Sequence, residues 1–152
     1  MDFDIKIQGL DSLLDRIDDL ADKQELTNAV EKSCEIIKNS AKKKAPKDTG
    51  ALRRSITYEV ESSPTEIVGT VFTPLEYAPY VEYGTGLFAE NGNGRKDVPW
   101  LYKDDKGKTH ITSGQHPQPY MRPALEENKD KRIHFDIKSY VFELYISWNN
   151  ND

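Results

Sequence analysis

A-P-K-D-T-G-A-L-R-R-S-I-T-Y-E-V (residues 45–60), then E-I-V-G-T-V-F-T-P (66–74), then Y-A-P-Y-V-E-Y-G-T-G (77–86), is the stretch on which the rest of the chain depends. Pro46 has no N–H and pushes Ala45 out of the α region, so the helical pattern ahead of it should stop there. Asp48-Thr49-Gly50 has turn chemistry: Asp bonds the backbone ahead, and Gly accepts a positive φ. Ile56, Tyr58 and Val60 alternate with Thr57, Glu59 and Glu61, the period of a half-buried strand. Val68, Thr70 and Phe72 alternate with Gly69 and Val71 in a second strand whose sidedness is less plain. Ser62, Ser63 and Pro64 lie between them, so the pair reads as an antiparallel hairpin. Tyr77, Tyr80, Val81 and Gly84 then fall at i, i+3, i+4 and i+7, which predicts a short helix on the sheet with Pro79 in its first turn.

Working outward to the N-terminus, Phe3, Ile5 and Ile7 alternate with polar residues, a short strand ended by Gly9. Leu10, Leu13, Leu14, Ile17, Leu20 and Ala21 keep helical spacing over about three turns. Asp22 with Glu25 resembles a capping box and restarts a helix. Leu26, Val30, Ser33, Ile37, Ala41 and Lys44 follow one face of that second helix. Its last turn carries Lys42, Lys43 and Lys44, favourable at the negative end of a helix. Towards the C-terminus, Leu87 to Val98 is rich in Gly and Asn and reads as a loop. Trp100 to Tyr102 and Thr109 to Thr112 form a hairpin with Gly107 left-handed at the turn. Ser113 to Pro119 is a further turn region, and Pro123 stands at N1 of a last helix. Residues 139–148 satisfy two periods at once: Ile137, Tyr140, Val141, Leu144 and Trp148 are helical, while Tyr140, Phe142, Leu144, Ile146 and Trp148 alternate like a strand.

The chain of 152 residues is enough for one domain with a core. Charged residues make up 31% and the net charge is -5, with a mean hydropathy of -0.76. That acidic balance argues against nucleic-acid binding as the main task. No apolar run approaches the ~20 residues that span a bilayer, and no signal-peptide pattern opens the chain. The single Cys34 fits a reducing cytoplasm.

Chemistry-bearing patterns are sparse. His110, His116 and His134 have no second ligand at metal spacing, so no metal is expected. Cys34 lies beside the buried stripe with no base nearby and reads as a small core residue. Glu59, Glu61 and Glu66 read as strand-edge carboxylates. Gly84-Thr85-Gly86 lacks the Lys and following helix of a phosphate loop, and no dinucleotide fingerprint is present, so no cofactor is expected. Lys42, Lys43, Lys44, Lys47, Arg53 and Arg54 form a basic cluster that neutralises a helix end or touches phosphate. Tyr77, Tyr80 and Tyr83 read first as core and sheet cover, and secondarily as interface anchors. Arg54 and Glu82 are placed to pair across the central stretch.

A-P-x-D-T-G-x-L-R-x-S-I (Ala45 to Ile56), Y-A-x-Y-V-E-x-G-T-G (Tyr77 to Gly86) and P-Q-P-Y-M-R-P-A-L-E (Pro117 to Glu126) occur in that order. Together they resemble the gene-product-ten-like tail-component family of the HK97 phage group. The resemblance spans about residues 23–138, with 1–22 as an N-terminal strand and helix and 139–152 as an extension of a single 1–152 domain. It implies an α+β fold, with N-terminal helices and a C-terminal helix packed on a small antiparallel sheet, and a helix through 139–148. It implies a structural virion protein, not an enzyme, made in the host cytoplasm and acting in tail completion or head–tail joining. A ring, by default a hexamer, follows from the sixfold symmetry of siphophage tails. DNA passes nearby without specific binding, and other neck or tail proteins are the partners. The family motif residues are Pro46, Asp48, Thr49, Gly50, Leu52, Arg53, Ser55, Tyr77, Ala78, Tyr80, Val81, Glu82, Gly84, Thr85, Gly86, Pro119, Arg122 and Pro123. Tyr80, Tyr83, Trp100, Tyr102 and Trp148 are the interface candidates. A DNA-contacting role for the Lys42–Arg54 cluster and a small enzyme using Glu and His groups are the competing classes.

Overall fold

The computed structural model describes residues 2–6, 20–63, 67–90, 92–104, 106–128, 133–137 and 140–144. The long helix α1, Leu20–Lys44, is its spine. At 25 residues it is about 37 Å long. Leu26, Ala29, Val30, Ser33, Cys34, Ile37 and Ala41 are buried along it, the three-and-four spacing of a stripe facing a core. Ser33 is tolerated in that stripe because its hydroxyl donates to the Ala29 carbonyl at 2.9 Å. Ala45 N still reaches the Ala41 carbonyl at 2.8 Å, and the helix stops ahead of Pro46 as predicted. The start differs from the expectation. Leu20 to Asp22 are already helical, and a capping residue needs non-helical backbone, so Asp22 is not the cap. The rest of the expected first helix lies outside the described residues.

After Gly50, whose φ is 80°, a single helical turn α2, Ala51–Ser55, intervenes before the sheet. It buries Leu52 and was not legible from the strand-like alternation that follows. Strand β1, Asp2–Lys6, and strand β2, Thr57–Ser62, flank the central strand β3, Ile67–Phe72, in the order β1-β3-β2. Both pairings are antiparallel, so the expected hairpin forms, with Thr57 opposite Phe72 and Glu61 opposite Val68. The sidedness of β3 is now clear: Ile67, Gly69 and Val71 are buried, while Val68, Thr70 and Phe72 are half-buried on the other face. Gly69 marks the closest approach of α1 to the sheet. A Cβ there would lie 2.4 Å from Cys34 Sγ and 2.7 Å from Val30 Cγ1, so glycine sets the helix–sheet spacing.

The helix α3, Ala78–Tyr83, takes Pro79 in its first turn as predicted. A 3-10 turn, Gly86–Phe88, and a loop lead to a ribbon of β4, Trp100–Lys103, and β5, Thr109–Thr112. Gly107 is left-handed at its tip. The helix α4, Met121–Glu126, packs on α1. Pro123 is its third residue, not its first. Beyond it lies an antiparallel pair, β6, Ile133–Ile137, and β7, Tyr140–Leu144, so the described part of the expected 139–148 helix is a strand and the rest lies outside the described residues. The alternating β-branched and aromatic residues decide the matter over the helical stripe. Asn128 also helps to end α4, because its side-chain amide donates to the Ala124 carbonyl at 2.6 Å. The α+β class stands, with α4 as the late helix.

Candidate functional site

The two later motifs meet at one carboxylate. Ala78, Val81 and Glu82 form the buried face of α3, and Glu82 is 0% exposed. Its Oε2 accepts the backbone N–H groups of Tyr120 at 2.8 Å and Met121 at 2.9 Å. Its Oε1 accepts Arg122 N at 3.0 Å and Arg122 Nε at 3.1 Å. A helix start leaves about four N–H groups without intrahelical partners. Here three are taken by Glu82 and Pro123 has none to offer. Ala124 N then makes the first intrahelical bond, to the Tyr120 carbonyl. This explains the shifted proline: a negative group bonded at the positive end of α4 does what a local cap would do. Arg122 is shared, with Nη2 at 2.9 Å from Glu90 and its guanidinium 4.7 Å from the centre of the Tyr83 ring. The buried charge is thus paired and hydrogen-bonded on all sides, as burial requires.

The second motif's glycine segment is laced to the chain ahead of α4. Thr85 N donates to the Gln115 carbonyl at 2.9 Å, and Gln115 N returns to Thr85 Oγ1 at 3.0 Å. Leu87 N reaches the Ser113 carbonyl at 3.0 Å, and Gln118 N the Val81 carbonyl at 2.8 Å. Gly86, with φ of 60°, has Ser113 O only 2.3 Å from where a Cβ would stand. No side chain fits between these backbones.

The first motif ends α1 and braces the sheet. Arg53 Nε donates to the Ala45 carbonyl at 2.8 Å, a cation on the last carbonyls of the helix. Ala51 N donates to Thr49 Oγ1 at 3.3 Å. Ser55 and Thr73 hydroxyls meet at 2.7 Å. Pro46, Asp48, Gly50 and Leu52 line a cavity of about 420 Å³ with Tyr77 and Gln118. The expected Arg54–Glu82 pair does not form. Arg54 Nη1 reaches only the Thr49 carbonyl, at 3.4 Å, because Glu82 faces inward to α4. Lys44 of the basic cluster pairs with Glu127.

Cys34 is fully buried, and burial, aided by Glu31, pushes its thiol up to about 12, a core residue as read from the sequence. His110 Nε2 is 2.8 Å from Asp104 Oδ2, and the His116 ring lies tilted against that of Phe88 with centroids 3.8 Å apart. Among the described residues no group of His, Cys, Asp and Glu is placed to hold a metal ion, and no helix is long and apolar enough to cross a membrane.

The aromatic residues correct another expectation. Tyr77 and Tyr80 are not sheet cover but exposed, Tyr80 by 59%. Tyr83 and Trp100 are half-buried, and Trp100 lies under Arg95 at 5.3 Å. Tyr102 is exposed and stacks 5.2 Å from His110. Pro119 is also exposed. Trp148 and His134 fall outside the residues whose side chains are described. Sequence reasoning missed the capping role of Glu82 and the second carboxylate on Arg122, that of Glu90. The available signal was a carboxylate at i+4 from Ala78 on the buried face, with an Arg-Pro pair at a helix start downstream.

A family model described as "Bacteriophage HK97-gp10, putative tail-component" matches residues 8–84. The match contains the first motif and all but the end of the second, and the third lies beyond it. No curated protein and no solved structure matches the chain. Half of the sequence fits that description, including the residues that end α1, brace the sheet and supply Glu82, and the chain accordingly belongs to the HK97-gp10-like family of bacteriophage tail components.

Proposed function

We propose that this tail component is a ring-forming neck subunit that acts in tail completion or head–tail joining of a tailed phage or prophage. The observation that carries this reading is a set of large apolar side chains left in solvent on pinned elements. Tyr80, Leu87, Leu101, Tyr102 and Ile111 are all exposed, on a frame held together through Glu82 and the Thr85–Gln115 bonds. Exposed aromatic and aliphatic residues on a fixed scaffold are what an assembly surface requires. The pairing of Lys44 with Glu127 and the use of Arg53 at the helix end favour an internal role for these two members of the basic cluster over a DNA-contacting one.

Deletion of the gene, followed by negative-stain microscopy of the induced particles, tests the reading. Full heads lying beside separate tails, or tails of uncontrolled length, are the expected outcome. Normal infectious particles would remove the protein from the joining pathway. A duplex-DNA mobility shift that weakens with salt would then favour the basic cluster as the working surface.

A further inference from the structure

The β4–β5 ribbon has one face without cover. Leu101 and Ile111 are direct cross-strand partners and are 67% and 70% exposed. Lys103, two residues on from Leu101, shares that face and stands opposite Thr109. Trp100, Tyr102, His110 and Thr112 take the other face, where Tyr102 stacks on His110. A two-stranded ribbon of four-residue strands is marginal by itself in water, so an exposed aliphatic pair at its centre calls for a partner surface.

The main sheet presents a matching surface. On the side away from α1, half-buried Val68 and Phe72 of β3 lie beside exposed Glu59, Glu61 and Thr57 of β2. The register sets Glu61 opposite Val68, Glu59 opposite Thr70 and Thr57 opposite Phe72. On the other flank, positions Asp2, Asp4 and Lys6 stand in register with Phe72, Thr70 and Val68. Val68 and Phe72 thus form an apolar pair edged on the β2 side with the carboxylates of Glu59 and Glu61. The ribbon face is an apolar pair with a lysine beside it and Lys106 and Lys108 at its tip. Among the described residues none of Glu59, Glu61 and Lys103 is in an ion pair or a side-chain hydrogen bond.

We propose that the Leu101–Ile111 face of the ribbon lies on the Glu59–Glu61 face of the sheet in a second copy of this chain. The two patches are different parts of one subunit, so the contact is head-to-tail, the kind that closes into a ring. Aliphatic side chains pack on Val68 and Phe72, and Lys103 meets the β2 carboxylates. The proposal rests on the ring-forming reading and names the surfaces that would make the ring. Charge matching orients the ribbon, and apolar burial holds it.

Two variants of the full chain that each add one exposed cysteine, Glu61→Cys and Lys103→Cys, one carrying a mass tag, are mixed and mildly oxidised. Cys34 is fully buried and stays out of the reaction. The expected product is the mixed disulfide, about tenfold above either homodimer if matched surfaces gain one decade in affinity. Equal yields of mixed and like pairs, or like pairs alone, overturn the proposal. In the phage, Glu59→Lys with Glu61→Lys, or Lys103→Glu alone, should lower joined particles, and all three together should restore them. Circular dichroism checks that each variant is folded. If the deletion blocks joining but charge reversal changes nothing, this contact is wrong and the neck reading stands. If the deletion is harmless, the neck reading itself fails.

Discussion

Glu82→Ala would leave three amide N–H groups and the Arg122 guanidinium around an empty space where the carboxylate stood. Breaking a buried ion pair from one side costs about 3–5 kcal/mol, and that loss is expected in chemical denaturation. Arg122→Ala should cost less, about 1.5–3 kcal/mol, because Glu82 keeps its amide donors at the start of α4. Equal effects would mean that the ion pair, not the cap, dominates. Gly86 and Gly92 offer a second comparison. Both have positive φ, 60° and 63°, but a Cβ on Gly92 meets nothing within 4 Å. Gly92→Ala should therefore cost only the left-handed penalty, about 1–2 kcal/mol. Gly86→Ala adds a clash with the Ser113 carbonyl, and should exceed it by about 1–3 kcal/mol. At this scale the sequence was informative where chemistry is local, as at Pro46, Gly107 and Cys34. It was silent where a side chain acts some forty residues away. Nothing near Glu82 announces that its partners are the amides of Tyr120 to Arg122, and the nearer-looking cation Arg54 was the wrong choice.

The β4–β5 ribbon shows how one element depends on one titrating group. Asp104 accepts a hydrogen bond from His110 and from the backbone N–H groups of Lys108 and Lys106. These bonds, that of His110 foremost, hold its carboxyl below the ordinary range. A carboxyl lowered in the folded state contributes stability above its ordinary value of about 4. That contribution is lost as pH falls through the lowered value. The amide resonances of Lys106, Lys108 and His110 should move together on acidification, and Asp104→Asn should abolish the shared transition. A ribbon unchanged down to strongly acid pH would contradict this account. The ribbon, the β2–β3 hairpin, α1 and α3 were all legible because each has one clear period bounded by Gly or Pro. Two elements were not. The turn α2 is too short to show a period, and residues 139–148 carry helical and alternating patterns at once; in β7 the alternating β-branched and aromatic residues prevail.

At the scale of the whole molecule, α1 seated on β3 is the core, and Cys34 reports on it. Its thiol is buried and held at about 12, so almost no thiolate is available near pH 8. Labelling by a thiol reagent should proceed only through unfolding, with a rate that rises with denaturant as global unfolding does. Labelling at the speed of a free thiol would show that α1 lifts from the sheet locally. The α+β class and the family could be read because the three motifs are local in sequence. The way the motifs join could not, since that is a matter of distant contacts. That joint bears on synthesis. A nascent chain that has emerged only as far as Gly84, the end of the family match, already holds the Glu82 carboxylate but not the amides and guanidinium that receive it. Until Arg122 has left the ribosome, α3 cannot bury its inner face without stranding a charge. The subunit, with its exposed ribbon anchored, should thus arise only after the segment through Arg122 has been made, which keeps shorter nascent chains from joining an assembly.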